Sequence, residues 1–83
     1  MTKNIAYYLK LPYRLIIMKG EEEGVYVAYF PELPGCATTA RSLEAVRENA
    51  ADAKHAWLEA AIEDGYPIRE PEQDLPLQQN AIA

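Results

Sequence analysis

The chain has 83 residues, thirteen of them acidic against eight basic, a formal net charge of −5 and a single cysteine. That length supports one small domain with no cleft between domains, and Cys36 alone excludes an internal disulfide and a Cys/His zinc site. The acidic balance disfavours a nucleic-acid backbone as the main partner and favours a basic protein.

Lys10, Pro12, Arg14 and Lys19 interrupt every apolar run in the N-terminal part before it reaches the length of a signal h-region or a membrane span. A lone cysteine in so small a chain fits a reducing compartment, so a cytoplasmic protein without membrane attachment is expected. Asn4 to Lys10 carries Ile5, Tyr7, Tyr8 and Leu9 behind Thr2 or Asn4 as N-cap, which predicts a short helix ended by Pro12. Two turns are marginal alone, so that helix needs Ile5, Tyr8 and Leu9 packed on another element.

Tyr13 to Lys19 and Val25 to Phe30 are strands by composition, and Gly20-Glu21-Glu22-Glu23-Gly24 between them is a turn, so the two form an antiparallel hairpin. Alternation puts Leu15 and Ile17 on one face and Ile16 and Met18 on the other; Val25, Val27 and Tyr29 oppose Tyr26, Ala28 and Phe30. Both faces are apolar. One helix covers one face, leaving the second for the N-terminal segment, a partner protein or another copy of the chain.

Pro31 removes a ladder donor and Pro34-Gly35 fixes a turn, after which Cys36 to Ala40 is short enough for a third strand. Cys36 reads as a small hydrophobe beside that turn rather than as a reactive thiol. Ser42 stands where an N-cap belongs, with Glu44 in the first turn, and the helix runs from Leu43 to Asp64, with Gly65 as terminator and Pro67 beyond it. Leu43, Val46, Ala50, Ala53, Trp57 and Ala61 form its buried stripe, with Leu58 and Ile62 on the flank.

The opposite face carries Glu44, Glu48, Asp52, His55, Glu59 and Glu63. It reads either as a plain solvated face or as a docking surface for cations, and His55 is a surface partner of Asp52 and Glu59 rather than a catalytic base. Tyr66 to Pro71 is extended between two prolines and suited to a last strand beside the first. The expected domain is residues 1–71, and residues 72–83 are a loose tail with isolated Leu75, Leu77 and Ile82.

The resulting fold class is α+β, a small antiparallel sheet in β-β-β-α-β order with one long helix packed on one face. That order is similar to the ribonuclease H arrangement, whose catalysis needs strand carboxylates to hold two metal ions. These strands carry none, and the chain has no nucleophile elbow, no phosphate-binding glycine loop and no convergent acids. No enzymatic activity, metal or cofactor is expected. Six tyrosines suit an interface as well as a core.

Gly24-Val25-Tyr26-Val27-Ala28-Tyr29-Phe30-Pro31-Glu32-Leu33-Pro34-Gly35-Cys36 resembles the G-x-Y-x-A-x-F-P-D/E-L-P-G-C signature of HicB-type antitoxins. Ser42-Leu43-Glu44, Trp57-Leu58, Asp64-Gly65, Pro67, Ile68 and Pro71 follow in the family's order, and Tyr7-Tyr8 and Leu11-Pro12-Tyr13 are similar to one branch of it, so the likeness covers residues 7–71. The resemblance implies a partial ribonuclease H-like fold without its catalysis, dimers or tetramers, and neutralisation of HicA, a small basic ribonuclease toxin with a catalytic histidine. On that basis Tyr26, Tyr29, Phe30, Glu32 and Leu33 are candidate partner contacts, with a core-and-turn role as the alternative for each. The acids Glu44, Glu48, Asp52, Glu59 and Glu63 would supply attraction. The alternative function is a solitary oligomerising or adaptor domain. Family members often add a C-terminal DNA-binding segment; residues 72–83 are too few for one and carry no basic residue, so direct operator binding is not expected. Where the family often has glycine and an acid before the helix, this chain has Ala40-Arg41, so a tight left-handed turn there would be strained.

Overall fold

A computed structural model describes residues 3–71. Five elements follow one another: α1 (Ile5–Leu9), β1 (Ile16–Lys19), β2 (Tyr26–Tyr29), β3 (Ala37–Ala40) and α2 (Leu43–Asp64). The strands form one antiparallel sheet in the order β1-β2-β3. The register opposes Ile17 to Ala28 and Ala28 to Thr38, which puts Ile16, Tyr29 and Ala37 in one cross-strand row on the other face. The fold is therefore α+β, a three-stranded antiparallel sheet beneath a long helix, and its β-β-β-α core is compatible with the ribonuclease H-like arrangement.

Local chemistry accounts for the element ends. Asn4 caps α1, accepting from the Tyr7 backbone N–H at 3.1 Å, so the cap is Asn4 and the alternative, Thr2, lies outside the described residues. Ser42 caps α2 in the same way, accepting from the Ala45 N–H at 3.0 Å. Gly65 closes α2 in the left-handed region at φ 69°, its N–H reaching back to the Ala61 and Ile62 carbonyls. Ala40 ends β3 and the extended Ser42 follows within two residues, so no left-handed turn is asked of Ala40.

Ala28, Phe30, Leu33, Val46, Ala50 and Leu58 form the centre of the core, with Tyr13 and Cys36 buried beside them. Leu33, Leu58 and Val46 are its largest fully buried side chains, each contributing about 1.5–3 kcal/mol by leaving water. α2 packs on β2 and β3, while α1 packs on α2. That placement corrects the expected helix stripe. Leu58 is fully buried rather than flanking, because α1, with Ile5, Tyr8 and Leu9 packed against the core, covers its side of α2. Leu43, the first helical residue, is 45% exposed.

The expected last strand, Tyr66 to Pro71, does not form. Pro67 and Pro71 have no backbone N–H to give to a ladder, and the segment is held by side chains instead. Ile68 packs on the core, the Tyr13 hydroxyl donates to the Arg69 carbonyl, and the Glu70 carboxylate accepts from Lys3 Nζ at 2.9 Å and from the Tyr7 hydroxyl at 3.0 Å. The observed order is thus α-β-β-β-α. The tail expected at 72–83 lies outside the described residues.

Candidate functional site

The stretch from Tyr26 to Cys36 is a strand followed by two linked turns. The Leu33 N–H bonds the Phe30 carbonyl at 3.0 Å, the Cys36 N–H bonds the Leu33 carbonyl at 2.9 Å, and the Phe30 N–H returns to the Cys36 carbonyl at 3.2 Å. Gly35 sits at φ 81°, a region that costs a residue with a Cβ about 1–2 kcal/mol. The turn is also tied to α2, because the Trp57 indole N–H donates to the Pro34 carbonyl at 2.8 Å. Lys54, from the same helix, places its ammonium 5.5 Å from the Phe30 ring centroid.

The structure sorts the five candidate contacts into different environments. Phe30 and Leu33 are buried beneath α2, 5% and 0% exposed, and act as core in the described fold. Tyr26 is half-buried and packs against the same core. Glu32 is a clasp: its carboxylate accepts from the Arg14 backbone N–H at 3.3 Å and lies 3.5 Å from Arg14 Nε, joining the approach to β1 to the turn. Of the five, Tyr29 is on the sheet face away from the helix, in register with Ile16 and Ala37.

That face also carries Met18 opposite Val27, and Met18 is 51% exposed. No described element lies over it, since α1 packs on α2. The N-terminal segment is therefore removed from the occupants expected for the second sheet face.

The acidic helix face is placed as its spacing predicts. Glu44, Glu48, Asp52, Glu59 and Glu63 are all exposed. Among the described residues the one basic group at ion-pair distance from this row is the His55 imidazole, with Nδ1 3.9 Å from Glu59 Oε1, a pair that is ionic only when the imidazole is protonated. Asp52 makes no such contact. The Glu21 to Glu23 turn contributes one exposed pair, Glu22 with Arg41 at 3.6 Å, and a pair so open to water adds little stability.

Two further features were not anticipated. Pro34, Trp57, Ala60, Ala61, Asp64, Gly65, Tyr66 and Pro67 line a cleft of about 470 Å³ where α2 ends. Trp57 and Tyr66 meet edge-to-face there, with centroids 5.8 Å apart. The sequence signal was an aromatic on each side of the Gly65 terminator, but only the Pro34 turn brings a third wall. Pro12, Arg14, Pro31, Glu32, Arg69, Glu70 and Pro71 line a second groove of about 350 Å³.

Local environment displaces the titration of three groups around these sites, Cys36, Tyr13 and Glu70. Burial pushes the Cys36 thiol up, with Lys54 opposing, so the thiol stays protonated and poorly nucleophilic. Burial, followed by the Glu70 charge, raises Tyr13 to about 12. The Lys3 hydrogen bond holds the Glu70 carboxyl below its usual range. Among the described residues no three His, Cys, Asp or Glu side chains converge to hold a metal ion, and no helix is long and apolar enough to cross a membrane.

Comparison with known proteins gives the arrangement a lineage. No solved structure matches the chain. A UPF0150 protein of Archaeoglobus fulgidus is 40% identical to it over 52 residues, covering 60% of this chain and 75% of the relative. The family described as "HicB_like antitoxin of bacterial toxin-antitoxin system" matches residues 13–81, which begins after α1 and continues past the Pro71 limit of the expected domain. With the match spanning most of its length, the chain belongs to the HicB-like antitoxin family.

Proposed function

We propose that this chain is a non-enzymatic cytoplasmic antitoxin that docks on a small basic ribonuclease toxin of the HicA type and covers its RNA-binding surface. The observation that carries the reading is the outer face of α2: an exposed row of five carboxylates with no lysine or arginine at ion-pair distance among the described residues. A toxin that binds RNA must present a cationic surface, and such a row attracts that surface at long range and opposes docking on acidic proteins. The family membership supplies the class of partner, and the net charge of −5 argues against RNA or operator DNA as this chain's own ligand.

The uncovered sheet face has a different chemistry and is assigned a different role. Ile16, Met18, Val27 and Tyr29 present apolar surface without acids, which suits a second copy of the chain in a dimer or tetramer. This face is also what favours the alternative reading, a solitary oligomerising module without a toxin.

Co-expression with a short basic open reading frame adjacent to the gene, followed by affinity purification and an RNA-cleavage assay, tests the proposal. The expected result is a co-purifying ribonuclease silenced by this chain and released by high salt. A neighbour that cleaves RNA equally with and without the chain, or the absence of any co-purifying neighbour, removes the antitoxin reading.

A further inference from the structure

The C-terminal end of α2 combines three properties in one place. The last helical turn holds Glu63 and Asp64 and no basic residue, although the helix dipole already concentrates negative charge there. Asp64 has no cationic partner at ion-pair distance among the described residues; the pairs formed are Lys3–Glu70, Arg14–Glu32, Arg41–Glu22 and His55–Glu59. The cleft beside it is walled by Trp57, Tyr66, Pro34 and Pro67, and Tyr66 is 51% exposed. An open cleft of mixed lining, with aromatic walls and an anionic rim, is complementary to one kind of group, a long alkyl stem carrying a cation.

We propose that this cleft is a specificity pocket that receives a lysine or arginine side chain of the basic protein partner, its stem against Trp57 and Pro34, its charge shared between the Asp64 carboxylate and the Tyr66 ring. The assignment rests on the antitoxin reading for the identity of the partner, not for the chemistry of the pocket. At about 470 Å³ the cleft accommodates an arginine side chain with part of its backbone. It opens at the C-terminal end of α2 on the side of Trp57 and Ala61, across the helix from the acidic row, so the pocket adds a cation contact separate from that row. Tyr66 is pre-positioned by its edge-to-face contact with Trp57, whose indole is in turn locked to the Pro34 carbonyl, so little ordering remains to be done on binding.

Trp57 is the chain's single tryptophan, which makes its indole N–H resonance a direct reporter of occupancy. The probes are capped Gly-Arg-Gly and Gly-Lys-Gly, with Gly-norleucine-Gly as a neutral peptide of similar stem, titrated against the full chain. The cationic peptides should shift the Trp57 signal saturably and the neutral one should not. Exchanging an exposed cation–π contact or its carboxylate for a neutral group weakens binding about fivefold, expected here for Asp64→Asn and Tyr66→Leu, whereas Tyr66→Phe keeps the ring and keeps binding. Asp64→Asn removes a charge from the unfavourable end of the helix, so it should leave thermal stability equal or higher and weakened binding cannot be ascribed to unfolding. Equal shifts from the neutral peptide, or an unchanged affinity in both Asp64→Asn and Tyr66→Leu, overturn the proposal. So do contacts from the Leu75, Leu77 or Ile82 methyl groups to the Trp57 ring, which would make the chain's own tail the occupant, or a Trp57 shift that follows protein concentration without peptide, which would make it a second copy. With the co-purified toxin, the same fivefold loss in Asp64→Asn is expected. A toxin bound equally well by that variant overturns the pocket and leaves the antitoxin reading standing, while peptide binding through Asp64 by a chain that neutralises nothing supports the pocket and removes the antitoxin reading.

Discussion

Leu33→Ala separates a structural role from a contact role within the signature turn. Leu33 is fully buried, so truncation deletes three carbons, about 2.4 kcal/mol at ~0.8 kcal/mol each, and leaves a cavity that the Phe30 to Cys36 turns, stapled by three backbone hydrogen bonds, cannot close. A total near 3 kcal/mol follows. A domain of this size is stable by about 4–12 kcal/mol, so a quarter or more of the stability is at stake, with a fall in melting temperature of roughly 12–24 °C. Urea unfolding followed by far-ultraviolet circular dichroism, at fixed protein concentration because self-association would add to apparent stability, reads the change as a lower midpoint at unchanged slope. Leu33→Met, similar in volume, should lose less than about 1.5 kcal/mol. A loss under ~1 kcal/mol in Leu33→Ala, accompanied by weakened partner binding, would refute the reasoning and return Leu33 to the interface.

Gly65→Ala should cost about 1 kcal/mol through backbone strain alone, since φ 69° disfavours a Cβ while the space around it is open; an unchanged melting temperature contradicts that. Tyr13 has a folded-state value raised to about 12 from an ordinary 10, so folding favours its protonated form. Its contribution is complete below pH 10 and is lost as pH rises through 12, and Tyr13→Phe should flatten the decline of unfolding free energy over that window relative to the parent chain.

Much of the fold was legible because local and long-range signals agreed. Ser42 and Gly65 bound α2 to the residue, and Asn4 with Pro12 bracketed α1. The alternation in the hairpin assigned Ala28 and Tyr29 to opposite faces, as the register has them. What escaped depended on elements that meet only in three dimensions. Leu33 lies in a proline-bracketed turn with no periodicity to mark it as core. Helical spacing alone puts Leu58 on the flank of a stripe that faces the sheet, and α1 widens the covered arc to include it. Tyr66 to Pro71 had the extended character of a strand, but its attachment runs through the Tyr13 hydroxyl, Ile68 and Glu70, none of which leaves a pattern in sequence. Helical spacing was enough to read the exposure of the acidic row, whereas the cleft needed the Trp57 to Pro34 bond to bring a turn and a helix end together.

The clasp of Lys3 and Tyr7 on Glu70 joins positions 67 and 63 residues apart, so the described fold is nearly a closed ring. Ring-like connectivity of this kind permits circular permutation: a short linker can bridge the clasped segments while new ends open in the exposed Glu21 to Glu23 turn, outside α2 and ahead of the signature stretch. Such a rearranged chain would retain the acidic row and the Trp57 cleft while displaying its hairpin edge differently, and so would separate the surfaces proposed to meet a partner from the sheet surface proposed for self-association.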